Sequence, residues 1–361
     1  MAESINSGLM DDARVENGIR WQAEHCRRNN APVTAQIIDA QVPLMTSDTA
    51  VGRCIANWPG LPLEDAMPLR LAGGLHHLLL TGDDARLEPV YRGKTTDQAA
   101  VDRIVAAVTA DHDARLLQWF DSPPQTNEAG RSASFMAGLK WLSGRLGPRF
   151  ELNELGASAG INTMMDRYHY ELGGVTAGPP ESPMQIKPEW RGPPPPDNPV
   201  EIVAIKGCDQ APIDLSDPAA ALRVKSYVWP ENADRIVRMD AALQLAAEKA
   251  PNVVKADALD WVLERLAAPQ TEGVTRIINH SIVWQYISAD RRAAITNAIE
   301  AAGAKATRDK PLAWMMLETN RETFAHELTI RYWPGGETAA LLGQAQAHGA
   351  WVEWFSSAET G

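Results

Sequence analysis

The densest set of residues able to do chemistry is Glu154-Leu155-Gly156-Ala157-Ser158-Ala159-Gly160-Ile161-Asn162. Gly156, Ser158 and Gly160 have the spacing of a nucleophile elbow, in which Ser158 would attack a carbonyl. The same residues also spell a glycine turn from a strand into a helix, where a cofactor can approach the backbone. An elbow requires a Ser-acid-His order, and His280, His326 and His348 all follow Ser158. In a cofactor turn, Gly156 supplies left-handed backbone and Gly160 lets the helix pack close, while Ala157 and Ser158 stay small. Glu154 then stands at the carboxyl end of a strand, where open α/β sheets bind ligands.

Three further groups could join this chemistry. His280-Ser281 follows the apolar run Arg276–Asn279. His280 there is either a general base near neutral pH, with Tyr286 shaping the same pocket, or a histidine bonded to backbone. Gln125, Asn127, Glu128 and Arg131 precede a helix. They form either a capping segment, with Thr126 or Asn127 as cap, or a substrate-binding set. Asn162, Asp166 and Tyr170 recur every four residues, which predicts one shared face of a helix after the glycine turn. Cys26, Cys54 and Cys208 are isolated and form no C-x-x-C pair, so no metal is expected.

Two textures of chain must position these residues. Before residue 148 the apolar spacing is helical, in 15–29, 69–80, 97–120 and 134–146. From residue 148 onward, short apolar runs alternate with helical ones. Runs at 150–155, 201–205, 252–255, 276–279 and 311–317 read as strands of a parallel sheet. The chain then reads as a strand at 327–333, a helix at 338–348 with Thr338 as cap and Gly349 at its end, and a strand at 350–355. Gly173–Pro199 is rich in glycine and proline and predicts an insertion or a lid, with a short strand at 184–190. The expected organisation is a helical region over 1–147 and an α/β domain over 148–361.

Composition narrows the function classes. The net charge of -12 argues against a broad electrostatic grip on nucleic acid. No run approaches a membrane span, and the first residues lack the basic and apolar segments of a signal peptide. With few, scattered cysteines, a cytoplasmic protein acting on a small molecule is expected.

Position separates the elbow from the cofactor turn. An elbow follows several central strands and pairs with an H-G-G-G type segment, whereas here the first strand leads into the turn. An NAD fingerprint would read G-x-G-x-x-G, with its acid about 20 residues beyond it. An acid before the loop suits a cofactor with a cationic centre and no phosphate. The acid-x-Gly-x-Ser-x-Gly turn resembles the first motif of the Rossmann-like S-adenosylmethionine-dependent methyltransferases, with Ser158 replacing the middle glycine. That resemblance implies a mostly parallel sheet with its last strand antiparallel, and S-adenosylmethionine as cofactor. It also implies that Asp209 holds the ribose hydroxyls, and that Asp257 and Ala258 meet the adenine.

A closer resemblance lies in Gln125-Thr-Asn-Glu-Ala-Gly-Arg131, Glu154–Asn162, Asp166–Tyr170, Val228-Trp-Pro-Glu231, Ala256-Asp-Ala258 and His280-Ser281. These phrases are similar to domain-of-unknown-function family 2332, a bacterial family, which implies a methyltransferase-like fold and no established substrate. A methyltransferase is therefore expected. A serine hydrolase using Ser158, a cofactor-binding protein without catalysis, and another Rossmann-like enzyme stay open.

Overall fold

The computed structural model describes residues 12–125 and 127–355, so Thr126 and the first eleven residues lie outside the described residues. The chain separates into two compact units, residues 1–126 with 218–237, and residues 127–217 with 238–361. The first is helical. Its helices include Asp12–Arg28, Pro32–Asp39, Met67–Leu80 and Gln98–Asp111. Ile19, Ala23 and Cys26, then Leu71, Leu75 and Leu78, then Val101, Val105 and Val108 recur at three- and four-residue steps and are buried in one core. Glu231 accepts hydrogen bonds from the amide (2.8 Å) and hydroxyl (2.7 Å) of Thr34, tying the 218–237 excursion to the start of helix Pro32–Asp39.

The second unit is built on strands β1 (Arg149–Leu155), β2 (His169–Leu172), β3 (Val175–Ala177), β4 (Gln185–Ile186), β5 (Glu189–Arg191) and β6 (Glu201–Asp209). Strands β7 (Val253–Lys255), β8 (Thr275–Ser281), β9 (Leu312–Thr319), β10 (His326–Trp333), β11 (Gly336–Ala345) and β12 (Trp351–Trp354) follow. A nine-stranded sheet has the order β5-β12-β11-β10-β9-β8-β1-β6-β7. Strands β7, β6, β1, β8 and β9 are parallel to one another. The chain steps from β1 out to β6 and β7, then returns to the other side of β1 for β8 and β9. Such a reversal opens a crevice at the carboxyl ends of the two strands that flank it, here β1 and β8.

Three expectations from the sequence give way. Residues 338–348 do not form a helix. Residues 338–345 lie in β11, which pairs antiparallel with β10 after the turn Pro334-Gly335, 346–348 lie in the turn that follows, and β12 continues the meander. Helical spacing in Thr338–Leu342 loses to the pairing that the hairpin turn brings within reach. Gly349, at φ +72°, serves a turn between strands rather than a helix end. The sheet therefore closes in an antiparallel meander, with β5 parallel to β12 at its edge. The helix expected over 161–170 is a 3-10 turn, Asn162–Arg167, followed by β2, so Asn162, Asp166 and Tyr170 share no helical face. Tyrosine hydroxyls close that turn, Tyr168 on the Ile161 carbonyl and Tyr170 on that of Met165. Third, helix Ser132–Leu146 packs on the sheet. A Cβ added at Gly138 would lie 2.9 Å from Met315 Sδ and Ile330 Cδ1. The compact helical unit thus ends at residue 126, before this helix, instead of at 147. The 173–199 insertion carries β3, β4 and β5, with β3 and β4 flanking β2 in a small sheet.

Side chains alternate between the two faces of the sheet. Glu154 and Asn279 are register partners, and Asn279 pairs with Met315, on the face covered by Ser132–Leu146. Leu155, Ile278 and Trp314 point the other way, into a core with Trp261, Ile295 and Ile299.

Candidate functional site

Glu154 at the end of β1, Asn279 beside it on β8 and Asn162 in the 3-10 turn are each only 2% exposed. Glu154 Oε2, Asn279 Oδ1 and both amide atoms of Asn162 have no hydrogen-bond partner among the described residues. Burial pushes the Glu154 carboxyl up to about 7, opposed by the charge of the Arg131 guanidinium and reinforced by that of Asp209. Buried polar atoms are nearly always bonded. Four unbonded ones at the carboxyl end of the central strand mark a place built to bond something other than this chain.

The glycine turn beside them is tightly held. Gly156, Ser158 and Gly160 have φ of +65°, +53° and +74°. A Cβ on Gly156 would overlap the Val283 side chain, and one on Gly160 would lie 2.5 Å from Pro251 Cβ. The buried Ala157 packs against Gly207 of β6. The Ser158 amide donates to Asp209 Oδ2 (2.8 Å), and the Ile161 amide donates to Asn127 Oδ1 (2.6 Å). Asn127 is thus a cap, but for the glycine turn and not for the helix that follows it in sequence.

Residues 128–131 stitch neighbouring loops to this turn. Glu128 accepts from the Gly130 amide and from Arg238 Nε (3.1 Å). Arg131 donates to the Ala347 carbonyl (2.8 Å) and the Ser281 carbonyl (3.4 Å). Gln125 falls in the helical unit and is half-buried.

The acids expected to meet a cofactor are also used by the chain. Asp209 accepts from the Ser158 and Ala211 amides. Asp257 caps helix Ala258–Ala267 through the Leu259 and Asp260 amides and pairs with Arg291. Ala258 opens that helix. Arg167 donates to the Leu245 and Lys249 carbonyls, closing the end of helix Ala233–Glu248, and makes no pair with Asp166.

His280 is fully buried on the face of the sheet opposite Glu154. Its Nδ1 lies 2.7 Å from Glu318 Oε1, and its Nε2 accepts from the Trp314 indole at 3.0 Å. Acceptance at Nε2 fixes the proton on Nδ1, so neither nitrogen is left to act as a base. The ring stacks on Trp284 at 4.6 Å. Tyr286 is 78% exposed, outside this packing. Among the described residues, no group of three or more His, Cys, Asp or Glu is arranged to hold a metal, and no helix is long and apolar enough to cross a membrane.

Reasoning from sequence missed Asn279, Arg238 and Glu318. Asn279 carried a signal, since a polar residue closes the otherwise apolar Ile277-Ile278 run. Glu318 and Arg238 carried none, because their roles depend on partners 34 or more residues away.

No curated protein and no solved structure gave a match. A family match runs over residues 16–354 and takes in every phrase from Gln125 to Ser281 that resembled a family in the sequence. The chain belongs to the family described as "Uncharacterized protein conserved in bacteria (DUF2332)".

Proposed function

We propose that this chain is a cytoplasmic enzyme of the Rossmann-like methyltransferase type. It binds S-adenosylmethionine at the carboxyl end of β1 and methylates a small or medium-sized molecule. The observation that carries this reading is the cluster of unbonded buried atoms on Glu154, Asn162 and Asn279 beside a glycine turn. Three of those four atoms are acceptors, so the cluster suits a cationic, donor-rich group such as the ammonium at the cofactor's amino-acid end. When bound, S-adenosylmethionine supplies an electrophilic methyl group on a sulfonium.

The chain's own part is alignment, which can supply much of the rate of a displacement. Glu154, Asn162 and Asn279 hold the amino-acid end. A carboxylate has about four lone-pair positions, so Asp209 can serve the ribose hydroxyls while keeping its two amide bonds. Asp257, with Ala258, borders the adenine. Asn127, Glu128 and Arg131 are committed to the chain's own groups and shape the site. His280 supports the site wall and abstracts no proton.

Calorimetry with S-adenosylmethionine is the test. Binding to the wild type that is lost in Glu154→Ala and Asn279→Ala supports the proposal. No heat at millimolar ligand with folded wild type overturns it, and binding without turnover across an acceptor panel leaves a cofactor-binding protein. One observation favours the hydrolase, the positive φ of Ser158, since an elbow serine is strained in this way. Fluorophosphonate labelling of Ser158 would establish it; none is expected on the cofactor reading, and His280, with both nitrogens engaged, cannot serve as the base.

A further inference from the structure

Glu318 is the penultimate residue of β9, a strand that does not touch β1, yet its carboxylate gathers groups from the end of β8 and the loop after it. It accepts from the amides of Val283 (3.1 Å) and Trp284 (3.3 Å) and from His280 Nδ1 (2.7 Å). Between His280 and Val283 the backbone passes through Ile282 at φ +52°. That conformation is costly for a β-branched residue and persists only where its surroundings over-determine it. Three bonds to one carboxylate, with the Ile282 amide donating to the Leu317 carbonyl (3.0 Å), do so here. The loop held in this way presents Val283, whose side chain occupies the space that a Cβ on Gly156 would need.

We infer that Glu318 is a positioning residue for the ligand of the glycine turn, acting from β9 through Val283, which it holds against Gly156. This rests on the cofactor reading of that turn, but the coupling between loops is measurable without a cofactor. Without the carboxylate, the Val283 and Trp284 amides lose their acceptor and Ile282 can relax out of the left-handed region. Val283 then leaves the Gly156 turn, and the turn loosens with it.

The experiment compares wild type with Glu318→Ala, and with Glu318→Gln and Glu318→Asp should the alanine variant not fold. It uses hydrogen exchange by mass spectrometry and calorimetry with S-adenosylmethionine. Exchange should rise tenfold or more at 282–284 and also at 156–161, and the affinity should fall at least tenfold. Added formate, a carboxylate small enough to enter the gap, should restore part of both effects. A rise at 282–284 alone, with 156–161 and the affinity unchanged, overturns the inference. If wild type itself binds no S-adenosylmethionine, the cofactor reading fails separately. The exchange at 156–161 then decides the coupling: a rise that formate reverses supports it, and no rise overturns it.

Discussion

Glu154 is buried at a strand end with one oxygen unbonded, and its carboxyl is pushed up to about 7 from 4.5. A raised acid binds its proton more tightly in the folded state. Stability is therefore full below about pH 4.5, falls as pH rises towards 7, and stays low above it. Glu154→Gln removes that dependence. Unfolding by denaturant should show the variant close to wild type at pH 5 and more stable at pH 8, by at most about 3 kcal/mol at ~1.4 kcal/mol per unit. The same proton affects a cationic ligand, which prefers the ionised carboxylate. Calorimetry should find S-adenosylmethionine binding roughly fivefold tighter at pH 7.5 than at pH 6, the gain ending where the ligand's own ammonium titrates. Flat profiles in both measurements would mean that Glu154 does not face the ligand.

The glycine turn shows what an element imposes on its residues. Gly160 is fixed by two demands, a left-handed backbone at φ +74° and the close approach of Pro251 and Val253. Gly160→Ala should cost about 2 kcal/mol or more, adding the backbone term to overpacking, and thermal unfolding would register it. Both glycines and Glu154 were legible in the sequence, because a turn states its backbone needs in residue types. The element after the turn was not legible. Asn162–Tyr170 carries helical spacing, but Tyr168 and Tyr170 bond backward to carbonyls and pass the chain into β2. The 338–348 segment was misread for the same kind of reason, since its partner β10 decides its conformation.

At the scale of the whole sheet unit, distant segments converge on one strand end. The turn at 346–349, just before β12, returns to the site, where the Ala347 carbonyl takes Arg131 and the His348 carbonyl takes Arg238. Gly349 lies against the Gly130 backbone so closely that an added Cβ would overlap it. Gly349→Ala should therefore lower stability by roughly 2 kcal/mol. It should also weaken S-adenosylmethionine binding, although Gly349 belongs to none of the ligand-binding residues. Parallel thermal unfolding and calorimetry would separate a local loss of stability from this transmitted effect.

The sequence by itself determined the helical texture of the first 120 residues, the strands β1, β6 to β10 and β12, the glycine turn and the place of Glu154 before it. These follow from periodicity and from the backbone freedom of glycine, which are local properties of the chain. The tertiary structure decided what the register of β1 and β8 brings together. It set Asn279 beside Glu154 and turned His280 to the opposite face, where Trp314 and Glu318 occupy both its nitrogens. Adjacent residues on a strand face opposite sides of the sheet. His280 and Asn279, neighbours in sequence, therefore exchange the parts that their residue types suggest: the histidine becomes a buried support, and the asparagine faces the site.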